Sequence, residues 1–195
     1  MPRTWRLIGM KPLIAMLFAV AYLGLCMAQS KGLRIVFQPD ADQFSEDAHE
    51  YEAIWAREGT KITAAMEAAS GLKFEDREVK AIVLEVASSS GYKETPMRLR
   101  ASYPPDTKKA TLIHELGHRL ESDLFHKDED DHKYLFLWIY DVWVALYGRE
   151  FADAQVAVEK QRGRMYPADW EFALGFTQEQ RAAKWKETVA ERTPR

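Results

Sequence analysis

The sequence predicts an α+β fold, and three observations predict it. Short β-forming runs occupy the first half of the chain, helical periodicity dominates the second, and no internal repeat, long linker or low-complexity tract separates the halves. The 195 residues, 47% of them hydrophobic, suffice for one domain with a sizeable core. Aromatic residues at 12% are too many for a disordered chain. A net charge of −3 and a pI near 6.0 exclude a strongly basic nucleic-acid binder. A single cysteine excludes a disulfide framework and any cysteine-rich metal site.

The elements follow in order. Leu33 to Phe37 is rich in β-formers and stops at Gln38-Pro39-Asp40, which predicts a short strand. Phe44, Ala48, Tyr51, Ile54 and Trp55 recur at three- and four-residue spacing, a helical stripe. Glu58-Gly59 is expected to interrupt that helix, with Thr60 capping a second one that runs to Ser70-Gly71. Ala81 to Ala87 predicts another strand, and Met97 to Tyr103 alternates as a half-exposed strand does before Pro104-Pro105 closes it. Asp106 or Thr107 is a suitable cap for a helix to about Glu121, followed by an acidic loop from Ser122 to Asp131. Further helices are expected from His132 to Tyr147, ending at Gly148, from Glu150 to Arg162, and from Thr177 onward.

The first residues carry a separate message. Arg3, Arg6 and Lys11 precede an apolar run from Pro12 to Leu25, and Cys26-Met27-Ala28 places small residues at −3 and −1 from a cut before Gln29. This is the layout of a secretory signal peptide over residues 1–28, with a single domain over 29–195. The alternative is an uncleaved membrane anchor, although the run is short for a spanning helix. Cleavage would shift the net charge from −3 to −6 and remove the only cysteine. The expected location is the bacterial periplasm or the extracellular space, with no stable membrane association after cleavage.

Chemistry concentrates in His114-Glu115-Leu116-Gly117-His118. Residues four apart on a helix share a face, so both imidazoles can reach one ion, while Glu115, rotated by roughly 100°, lies beside it. There the carboxylate can take a proton from a zinc-bound water. Catalytic zinc usually has three protein ligands. The candidates are His126, His132, Asp141 and Glu150. His132 opens the next helix and can turn an imidazole back toward the first. Asp141 sits in a helix apolar on every side, where a carboxylate must be paired or metal-bound. It is a third ligand, an acceptor for a ligand imidazole, or the partner of an Arg, Tyr or Trp.

On these residues the chain resembles the zincin metallopeptidases, which share the HExxH helix. The helix beginning at His132 looks like the SprT-like branch, and a long buried helix with an acidic residue looks like the gluzincin or aspzincin arrangement. The metzincin pattern is absent, since Glu121 and Leu124 stand where Gly and His are required. The resemblance implies a small zincin-like domain acting on a peptide or protein substrate, with Zn2+ held by His114, His118 and His132, Asp141 being the alternative third ligand, and Glu115 as general base. It also implies a sheet edge that binds extended peptide by strand addition, for which Met97 to Tyr103 is the nearest strand. A donor to the tetrahedral oxyanion is expected, and Tyr134, Tyr140, Tyr147 and Arg119 are open to that role. Two other functions remain open on the same motif: hydrolysis of a non-peptide amide, and a metal-stabilised binding module without turnover. The tryptophans Trp138, Trp143, Trp170 and Trp185 are read as core, and Glu159-Lys160-Gln161-Arg162 as the solvated face of a helix.

Overall fold

A computed structural model describes residues 32–125 and 132–193. The signal peptide expected over 1–28, and the stretch of the acidic loop that contains His126, lie outside the described residues. What is described is an α+β domain: a three-stranded sheet followed by a helical half.

Strand β1 (Arg34–Pro39) leads through a short 3-10 turn into α1 (Ser45–Ser70), which returns the chain to β2 (Glu78–Leu84). β1 and β2 pair in parallel, with Ile35 opposite Val79 and Phe37 opposite Ala81. β3 (Met97–Arg100) joins the other side of β2, also in parallel, giving the order β1-β2-β3. Alternation sets the buried face: Val79, Ala81 and Val83 of β2 and Met97 and Leu99 of β3 are buried between exposed or half-exposed neighbours.

The predicted break in α1 is absent, and Ser45–Ser70 is one continuous helix. Gly59 serves packing there: a Cβ at this position would stand 2.8 Å from the Trp55 indole, so the ring lies across the glycine one turn later. Thr60 starts no helix, and its carbonyl accepts a bond from the Thr63 hydroxyl. β2 begins three residues earlier than expected and β3 ends at Arg100. β3 is an edge strand, but its outer side is taken by the chain itself. Ser89 and Arg98 exchange two backbone hydrogen bonds, of 2.8 and 3.0 Å, and Arg100 N donates to Ser88 Oγ. The peptide-binding edge implied by the zincin resemblance is therefore filled by residues 88–89.

Five helices follow: α2 (Pro105–Leu120), α3 (His132–Tyr147), α4 (Arg149–Glu159), α5 (Tyr166–Leu174) and α6 (Gln178–Arg192). α2 starts at Pro105, whose fixed φ and missing N–H suit a first helical position, so Asp106 and Thr107 lie inside the helix and do not cap it. α3 is the hub, packed by α1, α2, α4, α5 and α6. Its run from Leu135 to Tyr140 is buried on every side, as its uninterrupted apolar sequence requires. α6 carries a full capping box between Thr177 and Gln180, and its Trp185 indole donates to Ser70 O at the end of α1. No helix among the described residues is long and apolar enough to cross a membrane.

Candidate metal centre

α2 presents His114 and His118 one turn apart on the side that meets α3, and α3 begins with His132 at that same level. What lets the two helices approach is Gly117. A Cβ there would fall 2.5 Å from Leu135 Cδ1 and 3.3 Å from the Trp138 ring, so Leu135 and Trp138 of α3 pack directly over the glycine and any side chain would require the Leu135 side chain to move. The three imidazoles converge through their Nε2 atoms: His118 to His114 at 3.1 Å, and His118 to His132 at 3.2 Å. One ligand atom from each of the three residues fits within a 4.8 Å cluster.

The outer nitrogens bear on what this convergence can hold. His114 Nδ1 donates to Glu159 Oε1 at 2.8 Å, and His118 Nδ1 faces Glu121 Oε1 at 3.5 Å. A carboxylate only accepts, so Glu159 holds the proton on His114 Nδ1 and leaves a lone pair on its Nε2, whereas the 3.5 Å approach of Glu121 Oε1 to His118 Nδ1 is longer than a hydrogen bond. The His114 lone pair points at His118 Nε2 3.1 Å away, a spacing that either a proton on His118 or a cation shared by the two nitrogens satisfies. Two nitrogens on a tetrahedral zinc are separated by about 3.3 Å for bonds of about 2.0–2.1 Å, close to the spacings observed. The donor set thus fits a divalent ion that accepts imidazole nitrogen.

The two supporting carboxylates are held alike. Glu159 Oε2 accepts from Trp170 Nε1 at 3.2 Å, and Glu121 Oε2 from Trp138 Nε1 at 3.4 Å. Both glutamates are at most 1% exposed. Phe136 stacks on Trp170 at 3.9 Å and contacts the edges of the His114 and His132 rings, which fixes this wall of the site. Reading Glu159 as part of a solvated face is corrected by this geometry. Trp138 and Trp170 are core residues, as expected, and they also anchor the carboxylates.

Glu115 lies beside the histidines, 6% exposed, and no described side chain hydrogen-bonds its carboxylate. Burial pushes its pKa above the usual carboxylate range; the neighbouring His114 and His118 act against this, Glu159 adds to it, and Arg162 opposes it. Tyr166, at the start of α5, brings its hydroxyl to 2.8 Å from His132 Nε2, with its ring against His132 and His114.

Other expected site residues stand apart. Asp141 accepts from Arg181 at 2.5 and 3.1 Å and belongs to an ion pair between α3 and α6, not to the histidine cluster. Glu150 is exposed in the first turn of α4. Of the expected oxyanion donors, Tyr140 is bonded to Asp153 and Tyr147 to Glu58, both at 2.7 Å. Tyr134 packs against Phe125. Arg119 is spent on Asp76 and on the carbonyls of Ser90, Lys93 and Thr95, pinning the loop between β2 and β3. Tyr166, Glu159 and Glu121 were not anticipated. Glu159 had a signal, since Ala152, Gln155 and Val156 set a stripe whose next member is residue 159. Comparison with protein families, with curated proteins and with solved structures finds no match to this chain.

Proposed function

We propose that this chain is an exported zinc metallopeptidase, with His114, His118 and His132 holding the ion and Glu115 as general base. One observation carries the reading: three imidazole nitrogens converge beside a buried carboxylate that has no hydrogen-bond partner among the described residues. Zinc bound there supplies a Lewis acid that polarises a carbonyl and lowers the pKa of water toward neutrality.

The protein's own groups divide the remaining work. Glu115 takes a proton from the attacking water as its oxygen adds to the scissile carbonyl, and passes that proton to the departing nitrogen as the C–N bond breaks. Its burial suits the second half of this cycle, because a carboxyl with a raised pKa holds the proton long enough to deliver it. Glu159 fixes the tautomer and orientation of His114, and Glu121 places a carboxylate 3.5 Å from His118 Nδ1. The Tyr166 hydroxyl, 2.8 Å from His132 Nε2, is the donor placed to bond the carbonyl oxygen as negative charge develops.

A second reading rests on the filled outer edge of β3, where strand addition of an extended substrate is closed. That feature favours a metal-stabilised module without turnover. Glu115→Gln separates the two. The protein would be loaded with zinc and incubated with a denatured protein substrate, and new amino termini counted by mass spectrometry. Metallopeptidase action predicts cleavage that chelator and Glu115→Gln both abolish, with the zinc content of the variant unchanged. Absence of cleavage by the loaded wild-type protein over a broad peptide set refutes it in favour of the module.

A further inference from the structure

Arg119 and Arg181 are buried, and they show what a structural arginine looks like here. Arg119 makes five hydrogen bonds, to Asp76 and three carbonyls. Arg181 uses all three of its nitrogens on Asp141 and the Phe176 carbonyl. Arg162 differs. It follows α4, and among the described residues its side chain makes one hydrogen bond, from NH1 to Thr111 Oγ1 at 3.1 Å. Its Nε is buried without a partner. Glu159 Oε1 is 3.8 Å away, beyond hydrogen-bond length, and both Glu159 oxygens are committed to His114 and Trp170.

A guanidinium offers five N–H donors in a planar fork. Here the fork is held over the Tyr103 ring, 4.3 Å from its centre, so its orientation is set in advance. Thr111, which it touches, lies four residues before Glu115 and on the same face of α2. The charge therefore sits one turn from the proposed base. It stands 3.8 Å from Glu159 Oε1, the atom that pairs with His114 Nδ1. A side chain 20% exposed leaves a way in for a ligand.

We infer that Arg162 is an anchor for a substrate carboxylate, so that the site selects peptides carrying a carboxylate near the cleaved bond. This rests on the metallopeptidase reading and narrows it. Carboxylate is the group that matches a planar guanidinium fork bidentately. Two sources supply that group, a C-terminus or an acidic side chain.

The test uses metal-directed probes, so that failure of the anchor and failure of the metal site give different results. Hydroxamates of simple monocarboxylic acids are compared by calorimetry with the monohydroxamates of succinic, glutaric and adipic acids, on the zinc-loaded protein. At the chain length that spans the gap, the carboxylate-bearing probe is expected to bind about tenfold more tightly than its plain counterpart. Arg162→Gln is expected to abolish that preference while leaving zinc content and plain-hydroxamate affinity unchanged, and Arg162→Lys to keep part of it. Equal binding of both probe types at every length, or a preference that survives Arg162→Gln, overturns the anchor alone. Failure of every hydroxamate to bind overturns the metallopeptidase reading and the anchor with it. Peptide pairs then separate the two sources, by kcat/KM. Loss of rate on amidating the C-terminus identifies a terminal carboxylate, and loss on Asp-to-Asn exchange identifies an acidic residue. Indifference to both exchanges contradicts the inference.

Discussion

Glu159→Gln keeps the volume of a side chain that is 1% exposed and removes its charge. The carboxylate accepts from two donors, His114 Nδ1 at 2.8 Å and Trp170 Nε1 at 3.2 Å. A glutamine has one carbonyl oxygen, so whichever donor it keeps, its NH2 must face the other. The loss is one hydrogen bond to a charged group, worth about 1.5–3 kcal/mol. An independent route gives a similar figure, since removing an outer partner of a ligating histidine lowers metal affinity by about 10–100-fold, or roughly 1.4–2.8 kcal/mol. The expected result is a zinc Kd raised by about 10–100-fold, measured by competition against a chromogenic chelator. The melting temperature of the metal-free variant, taken in parallel, separates a loss of metal affinity from a loss of fold. An affinity within twofold of wild type, in a protein that still folds, would refute the claim that Glu159 sets the state of His114.

Further predictions follow from single contacts. Gly117→Ala places a methyl 2.5 Å from Leu135 Cδ1 and is expected to destabilise the fold by about 1–3 kcal/mol, read by urea denaturation, as the buried Leu135 side chain is forced to repack. His132→Ala and Asp141→Ala are expected to part company under metal analysis. The first releases zinc, while the second retains it and lowers the melting temperature, because it strands the Arg181 charge that Asp141 neutralises. Chelation of wild-type protein should lower its stability by about 4 kcal/mol if free zinc stood at 1,000 times Kd. An unchanged thermal transition on chelation would show that no bound metal contributes to the fold.

Legibility from sequence varied with the range of the interaction that decides each feature. The α+β class, the HExxH helix and the helix opening at His132 rest on local periodicity and four-residue spacing, which the chain displays directly. Gly59 misled because a glycine in a helical run reads as a break, whereas its cause is contact with Trp55 one turn earlier. Helix α5 was missed although Pro167 and Asp169 mark its first turn and Gly175 its end; these local signals are short and easily outweighed. The partners of the histidines were harder. Glu159 lies 45 residues from His114, and Tyr166 lies 34 from His132, so only the packing of α4 and α5 on α3 reveals them. Asp141 illustrates the converse. Its burial in an apolar helix correctly demanded a partner, and the choice between metal and arginine depended on where α6 folds back.

X-ray absorption at the zinc edge tests the metal centre most directly. On the zinc-loaded wild-type protein, the account predicts three imidazole nitrogens at about 2.0 Å, falling to two, or to loss of the metal, in His132→Ala. A protein that takes up no zinc, or one whose zinc shell is the same with and without the His132 imidazole, would contradict it.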